Sequence, residues 1–481
     1  MRKGMRLGAL ALLATLGTTA AASAATSTAA SVTVSPLAGT PVALPGTQIS
    51  FLGASAKALS GISVVGSLSG RHGGRLRSYA SATGASFLPS KPFAPGEHVS
   101  VRASWAATPQ SRRTLADSFT IARPSEVSKA ELADTPGTPG TPADIQSFQS
   151  QPSLHPPVVT IDHAAGAGVA PGYVFAAPFL GPGQYGPMIF DNDGNVVWFD
   201  PLQGGEDAAD FQTQNFHGKN MLTWWQGHVL ALGYGLGEDV IANANYKTVA
   251  IVKAGNGLQA DGHEFTLTPE GSAYITAYSP VQRSATSAST PANGAGALDG
   301  VIQRIDVHTG LVMWEWHSLG SAAFAQPQVQ PAPDLTVAET PFVQTLTGGS
   351  SMTGGGGLPG FTEAEARGAS VFAGALPAGE RSYRVYREPW AGQPSEPPAI
   401  SARTSAGATA VYASWNGATT VTAWQLLTGT SAAHMTAVST TPKTGFETTI
   451  PAPAAAYVQV RALSASGKVL ATSKTARPAS A

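Results

Sequence analysis

Short apolar runs of period two, separated by polar turns, recur from about residue 30 onward. Such alternation puts successive side chains on opposite faces of a strand, so it predicts half-buried β-structure. In residues 30–123 the runs are Gln48-Ile49-Ser50-Phe51, Ile62-Ser63-Val64-Val65 and His98-Val99-Ser100-Val101, punctuated by Pro45-Gly46 and Pro95-Gly96. That spacing predicts a small antiparallel sandwich. Residues 124–157 read as a linker containing a near repeat that has no apolar face. That repeat, Thr135-Pro136-Gly137-Thr138-Pro139-Gly140-Thr141-Pro142, predicts an extended, semi-stiff linker.

Residues 158–317 carry three hairpin-like units. Pro187-Met188-Ile189-Phe190 turns through Asp191 to Asn195 into Val196-Val197-Trp198-Phe199. His263 to Leu267 turns through Thr268-Pro269-Glu270-Gly271 into Ala273-Tyr274-Ile275. Val301 to Ile305 turns through Asp306 to Gly310 into Leu311-Val312-Met313-Trp314. Strand, polar turn with Gly, strand with an aromatic is the pattern of a propeller blade, and about 40–45 residues per blade leaves room for three to four. Residues 318–380 lose periodicity, with four glycines from Gly354 to Gly357, and are expected to be a low-complexity flexible segment.

Strands return in residues 381–475: Val411 to Trp415, Val421 to Leu427 and Tyr457 to Leu463. A Trp on an early strand and a Tyr opening a late one resemble a fibronectin type III sandwich. The fold class expected is therefore all-β: a partial β-propeller flanked by two small β-sandwich modules, the first immunoglobulin-like.

Charged residues are only 12% of the chain and the net charge is −1, which offers no overall basic field for nucleic acid. Cysteine is absent, so disulfides, thiolate chemistry and Cys-based metal sites are excluded. Arg2, Lys3 and Arg6, an apolar stretch from Leu7 to Leu16, and Ala22-Ser23-Ala24 read as a signal peptide over 1–24. The stretch is shorter than the roughly 20 residues a bilayer needs. Secretion or cell-surface location follows as the expectation, with no membrane contact after cleavage.

Motifs of other chemistries are missing. There is no Gly-x-Ser-x-Gly elbow, no phosphate-binding loop, and no His-Glu-x-x-His, since His263-Glu264 lacks a second His. Asp191 to Asn195 opens like a calcium loop but lacks the distal Glu, and Asp-Gly is a favoured hairpin turn. No metal and no cofactor is expected.

Four stretches taken together resemble the secreted arylsulfotransferase family, a six-bladed propeller. They are Gly186 to Trp198, Leu222-Thr223-Trp224-Trp225-Gln226-Gly227, Ala254-Gly255-Asn256-Gly257 through Asp261-Gly262-His263-Glu264-Phe265, and Ile305-Asp306-Val307-His308-Thr309-Gly310. The resemblance implies PAPS-independent transfer of a sulfuryl group from a phenolic sulfate ester to a phenol through a histidine. The family's two further motifs, a His-x-Asn strand and a Trp-Gln-His-Asp stretch that supplies the nucleophile, do not occur here. The chain thus resembles a member without the second half of its propeller. An open set of blades exposes an edge, which predicts self-association.

The resemblance makes His263 the catalytic candidate, and Trp224, Trp225, Arg304 and His228 candidates for binding a small phenolic substrate. Imidazole is a good nucleophile when neutral near pH 7, and cations or donors must surround the sulfate oxygens. Each residue also has a plain structural role available: a rim histidine, core tryptophans, a solvated arginine. Two function classes stay open, the sulfotransferase-like enzyme and a non-catalytic secreted or cell-surface binding protein.

Overall fold

Among the described residues the chain forms eight small sheets, and none of them closes into a barrel. The computed structural model describes residues 31–480 except 109, 131, 283–295, 321–341, 357 and 406. The expected signal peptide, 1–24, lies outside the described residues. Among those residues there is no α-helix, only a single 3₁₀ turn at Pro142–Asp144.

The N-terminal pair of sheets forms the predicted sandwich. One sheet runs Thr33–Ser35, Ile49–Leu52, Gly84–Pro89, Gly74–Ser78; the other runs Gly70–His72, Leu59–Gly66, His98–Thr108, Ser111–Thr120. Alternation sends Val99, Val101 and Ala103 into a core with Ile49, Phe51 and Phe119, and leaves Ser100 and Arg102 outside. At the other end, Ala399–Ser405, Ala408–Ser414, Glu447–Ala452 and Ala479–Ser480 face Ala423–Ser431, His434–Pro442, Tyr457–Leu463 and Val469–Thr472. Trp415, Trp424, Val458 and Val460 share the second sandwich's core.

Four sheets lie between. Sheet I is Val196–Phe199, Met188–Phe190, Tyr173–Ala176 and Val385–Glu388. Sheet II is Asp207–Phe216, Lys219–Val229, Gly235–Ala242 and Thr248–Val252. Sheet III is Asp261–Leu267, Ser272–Gln282, Gly296–Asp306 and Val312–His317. Sheet IV is Phe342–Thr345, Ser351–Gly355, Leu358–Ala364, Ser370–Ala375 and, from far upstream, Thr160–His163. Packing runs IV–I–II–III. Met352, Phe361 and Phe372 join Val174, Met188 and Phe190; Phe175, Ile189 and Trp198 join Phe211 and Trp224; Trp225 and Ile241 join Phe265, Ile275 and Ile305. Two strands that cross the sequence hold the series together, Thr160–His163 in sheet IV and Val385–Glu388 in sheet I.

Sheet IV corrects one expectation. Residues 342–375, read from sequence as flexible, form four strands. Their sequence is rich in Gly, Thr and Ser, so the strands gain order from the neighbouring sheet rather than from their own apolar pattern. The glycines fit that packing: a Cβ at Gly354 would lie 3.1 Å from the Val385 Cβ, and one at Gly355, whose φ is +84°, would lie 2.5 Å from the Tyr383 carbonyl oxygen. The segment read as a linker is tied to the sheets it crosses. Ser125 N–H donates to the Pro280 carbonyl, Thr135 N–H to Val229 and Thr138 N–H to Leu180.

The outer edge of sheet III is covered by the N-terminal sandwich. Ser50 and Ser86 hydroxyls donate to the Val312 carbonyl at 2.5 and 3.0 Å, and Glu315 N–H donates to the Ser35 hydroxyl. Behind this contact His317 sits between two buried carboxylates, 2.6 Å from Asp299 and 3.0 Å from Glu315. Gln303 and Asn256 also donate to Glu315. Burial alone would lower the His317 pKa, but the bonds to Asp299 and Glu315 outweigh it and raise it to about 9. A raised histidine stabilises the fold fully below its unfolded value of 6.5 and loses that contribution as pH climbs through about 9. We expect stability to fall by at most about 3 kcal/mol between pH 6.5 and 10. Urea denaturation across that range should show the slope, and His317→Gln should flatten it.

Candidate functional site

Two neighbouring strands carry the same five-residue pattern: Asp207-Ala208-Ala209-Asp210-Phe211 opens sheet II and Asp261-Gly262-His263-Glu264-Phe265 opens sheet III. In each, the closing Phe is buried and the register breaks within the pattern. Pairing jumps from Ala209 to Gln212 in the first strand and from Asp261 to Phe265 in the second. A bulge re-aims side chains that a regular strand would send alternately to opposite faces. The bulge in sheet II holds Asp210 at φ 52°, a left-handed conformation uncommon outside glycine.

Trp225 supports the second bulge from the core side. Its ring lies against Gly262, where a Cβ would come 2.9 Å from the indole, and its Nε1–H donates to the Ala260 carbonyl at 2.9 Å. Asp261, buried, anchors the bulge at both ends. One oxygen accepts from Gly235 N–H at 2.6 Å; the other accepts from His263 N–H at 3.1 Å and is bonded to His263 Nδ1. That second bond fixes the ring and leaves Nε2 as the outward nitrogen.

Around His263 stand Tyr383, ring centroids 5.3 Å away, and Tyr278, 6.1 Å away, both edge-on. Arg384, just ahead of the returning strand of sheet I, reaches between the two bulges. Its Nη1 is 2.9 Å from Asp210 and its Nη2 is 3.0 Å from Glu264. Equivalent positions of the repeated pattern therefore grip one guanidinium. Tyr386 donates its hydroxyl to Asp210 at 2.6 Å, and the Arg384 guanidinium lies over the rings of Tyr383 and Phe342 at 4.9 and 5.0 Å.

Electrostatics follow from this crowding. The hydrogen bond to Asp261 raises the His263 pKa against burial and the nearby Arg384. Burial raises Asp210 although Arg384 and Tyr386 oppose it. Asp239, fully buried on the third strand of sheet II, has neither oxygen bonded, and burial together with Asp210 and Asp261 pushes it well above the usual carboxylate range. The shift favours its neutral, protonated form. Among the described residues no group of His, Cys, Asp and Glu is placed to hold a metal ion. Two clefts lie at the C-terminal sandwich, about 400 Å³ beside Trp415 and about 360 Å³ beside Lys443, and neither reaches His263.

Residues 212–338 match the arylsulfotransferase (ASST) family. The matched segment holds Asp261, His263, Glu264 and Tyr278, whereas Asp210 and Arg384 fall outside it. No curated protein matches the chain. Solved structures similar to it include the S-layer protein rSbsC(31-844), at 11% identity and TM-score 0.15 over 90% of this chain, and surface layer protein SbsC, domains 1-6, at 11% and 0.15 over 91%. The chain spans 58% of the length of each.

Against the arylsulfotransferase match, the residues singled out from sequence scatter. His263 occupies the bulge. Trp225 touches the site only from beneath, as its support. Trp224 is buried between sheets I and II with Trp198 and Phe211, its Nε1–H donating to Gln226. Arg304 lies two strands outward on sheet III, bonded to Ser272 and paired with Glu270 at 2.8 Å. His228, at the end of its strand, is 3.5 Å from Asp134 of the linker. None of Trp224, Arg304 and His228 is among the side chains gathered around His263. The cation that does stand there, Arg384, and its partners Asp210 and Glu264 went unread. The repeated Asp-x-x-Asp/Glu-Phe pattern was the signal that could have found the two carboxylates.

Proposed function

We propose that the chain is a secreted or cell-surface arylsulfotransferase-like enzyme, with the four central sheets as blades of a partial propeller and His263 as its nucleophile. The observation that carries this reading is the Asp261–His263 pair on a bulge beside Arg384, inside the segment that matches the arylsulfotransferase family. Asp261 accepts the Nδ1–H bond and so leaves a lone pair on Nε2. In the first step Nε2 bonds to sulfur, the sulfur–oxygen ester bond breaks and the donor phenolate leaves. Positive charge growing on the ring is matched by Asp261. Arg384 is the cation nearest the shifting sulfate charge. In the second step the oxygen of an acceptor phenol bonds to sulfur, the nitrogen–sulfur bond breaks, and the acceptor's proton ends on the departed phenolate.

One observation favours the second reading, a binding protein without catalysis. Asp210 and Glu264 already hold the Arg384 guanidinium, so a sulfate must compete with two carboxylates for it.

The test is p-nitrophenyl sulfate with phenol as acceptor. Nitrophenol release that requires phenol and drops at least about 10³-fold in His263→Ala supports the enzyme. Release without an acceptor indicates hydrolysis instead. No release from folded protein sustains the binding reading.

A further inference from the structure

Charge is spread unevenly along the chain. Residues 31–123 hold nine Lys and Arg against two acids, Glu97 and Asp117, a net +7 in a protein whose total is −1. Neither acid offsets the surface. Glu97 is buried and accepts from Leu68, Ser69 and Ala94 N–H groups. Asp117 accepts from Ser118 N–H and pairs across from core-facing Val101. Among the described residues no Lys or Arg of this sandwich forms an ion pair.

The register places three of these cations on one face. On the outer side of the Gly70–His72, Leu59–Gly66, His98–Thr108, Ser111–Thr120 sheet, Arg71 lies opposite Val65, Arg102 lies opposite Ser63 and Ala116, and Arg112 lies opposite Ala106. All three arginines are exposed. Between them run hydroxyls: Ser63, Ser100, Ser104, Thr114 and Ser118. Arg71 donates to Ser63 at 3.2 Å and Arg112 donates to Ser60, so the guanidiniums lie along the sheet surface rather than projecting away from it.

We propose that this face docks an anionic polysaccharide. Its guanidiniums suit the sulfate or carboxylate groups of such a chain, and its serine and threonine hydroxyls suit the sugar hydroxyls between them. Two other polyanions fit less well. Single-stranded nucleic acid is gripped by stacking on aromatics, and this face presents none. A membrane surface is entered by an apolar ridge, and the face itself exposes only Val65. The docking face stands on the sheet of the sandwich that does not cover sheet III, so occupation would leave the His263 site unblocked.

The experiment uses the full mature chain with heparin, polygalacturonate and neutral dextran as probes, followed by titration calorimetry. Binding of either acidic polymer and not dextran is expected, weakening about tenfold or more from 50 to 200 mM NaCl. Which polymer binds tighter tells sulfate from carboxylate. The triple variant Arg71→Ser, Arg102→Ser, Arg112→Ser should lose at least about tenfold in affinity. Lys57→Ser with Arg123→Ser, off this face, should change it less than twofold. Equal loss in both variants, tighter binding of duplex DNA or anionic vesicles, or no binding at 50 mM NaCl would each overturn the proposal.

Discussion

Arg387→Leu will cost the fold about 3–5 kcal/mol, because it strands a buried carboxylate. Arg387 lies on the strand that returns to sheet I, and its Nε is 2.6 Å from Glu363 on sheet IV. Both side chains are fully buried. The guanidinium also donates to the Gly172 carbonyl at 3.2 Å and to Asn192 at 2.9 Å, and it lies over the Phe372 ring. Glu363 in turn accepts from Ala170 N–H at 2.6 Å. Remove the cation and that carboxylate must stay charged without its partner or take up a proton. Replacing both partners, as in Arg387→Leu with Glu363→Met, avoids this penalty, since the cost of desolvating two charges disappears with them. The double variant should recover more than half of the loss. Denaturation followed by tryptophan fluorescence would compare the three proteins. A double variant as unstable as the single would show that the pair acts through shape, not charge.

The same pair shows why the architecture was only partly legible. Hairpins with their turn between two apolar runs, such as Met188–Phe190 with Val196–Phe199, announce themselves locally. So do the alternating strands of the two sandwiches. Sheet IV does not. Phe361 and Phe372 are single aromatics among Gly, Thr and Ala, and they become core residues only when Val385–Glu388 arrives from elsewhere in the sequence. Long-range pairing of this kind leaves no period to read. The site follows the same rule. His263 could be named because it sits in a motif, but Arg384 precedes an unremarkable strand and acquires its role through Asp210 and Glu264 on other sheets. Trp224 and Trp225 illustrate the converse. Adjacent strand residues face opposite ways, so the pair fills two different inter-sheet cores and neither ring is left for a ligand.

Asp261→Asn should move the His263 titration in a defined direction. Three influences act on that ring. The bond from Asp261 raises its pKa, whereas burial and Arg384 lower it, and the balance lies above 6.5. An amide in place of the carboxylate removes both the charge and the strong acceptor, so only the two lowering influences remain. The pKa should therefore fall below 6.5. Histidine proton shifts followed by NMR would register this in the absence of any substrate. Activity adds a second readout. In the unaltered protein the neutral, nucleophilic ring predominates only above the raised pKa, so sulfuryl transfer should climb with pH through that value. In Asp261→Asn the rising limb should shift to lower pH while the rate falls about 10²–10⁴-fold, since the imidazolium charge formed on attack has lost its counter-ion and the amide can hold the ring in the wrong tautomer. A shifted limb with a reduced plateau separates an orienting carboxylate from a merely structural one, which would lower the amount of folded protein and leave the pH profile where it was. A His263 pKa unmoved by the substitution would end the case for the dyad, and with it the main chemical argument for His263 as nucleophile.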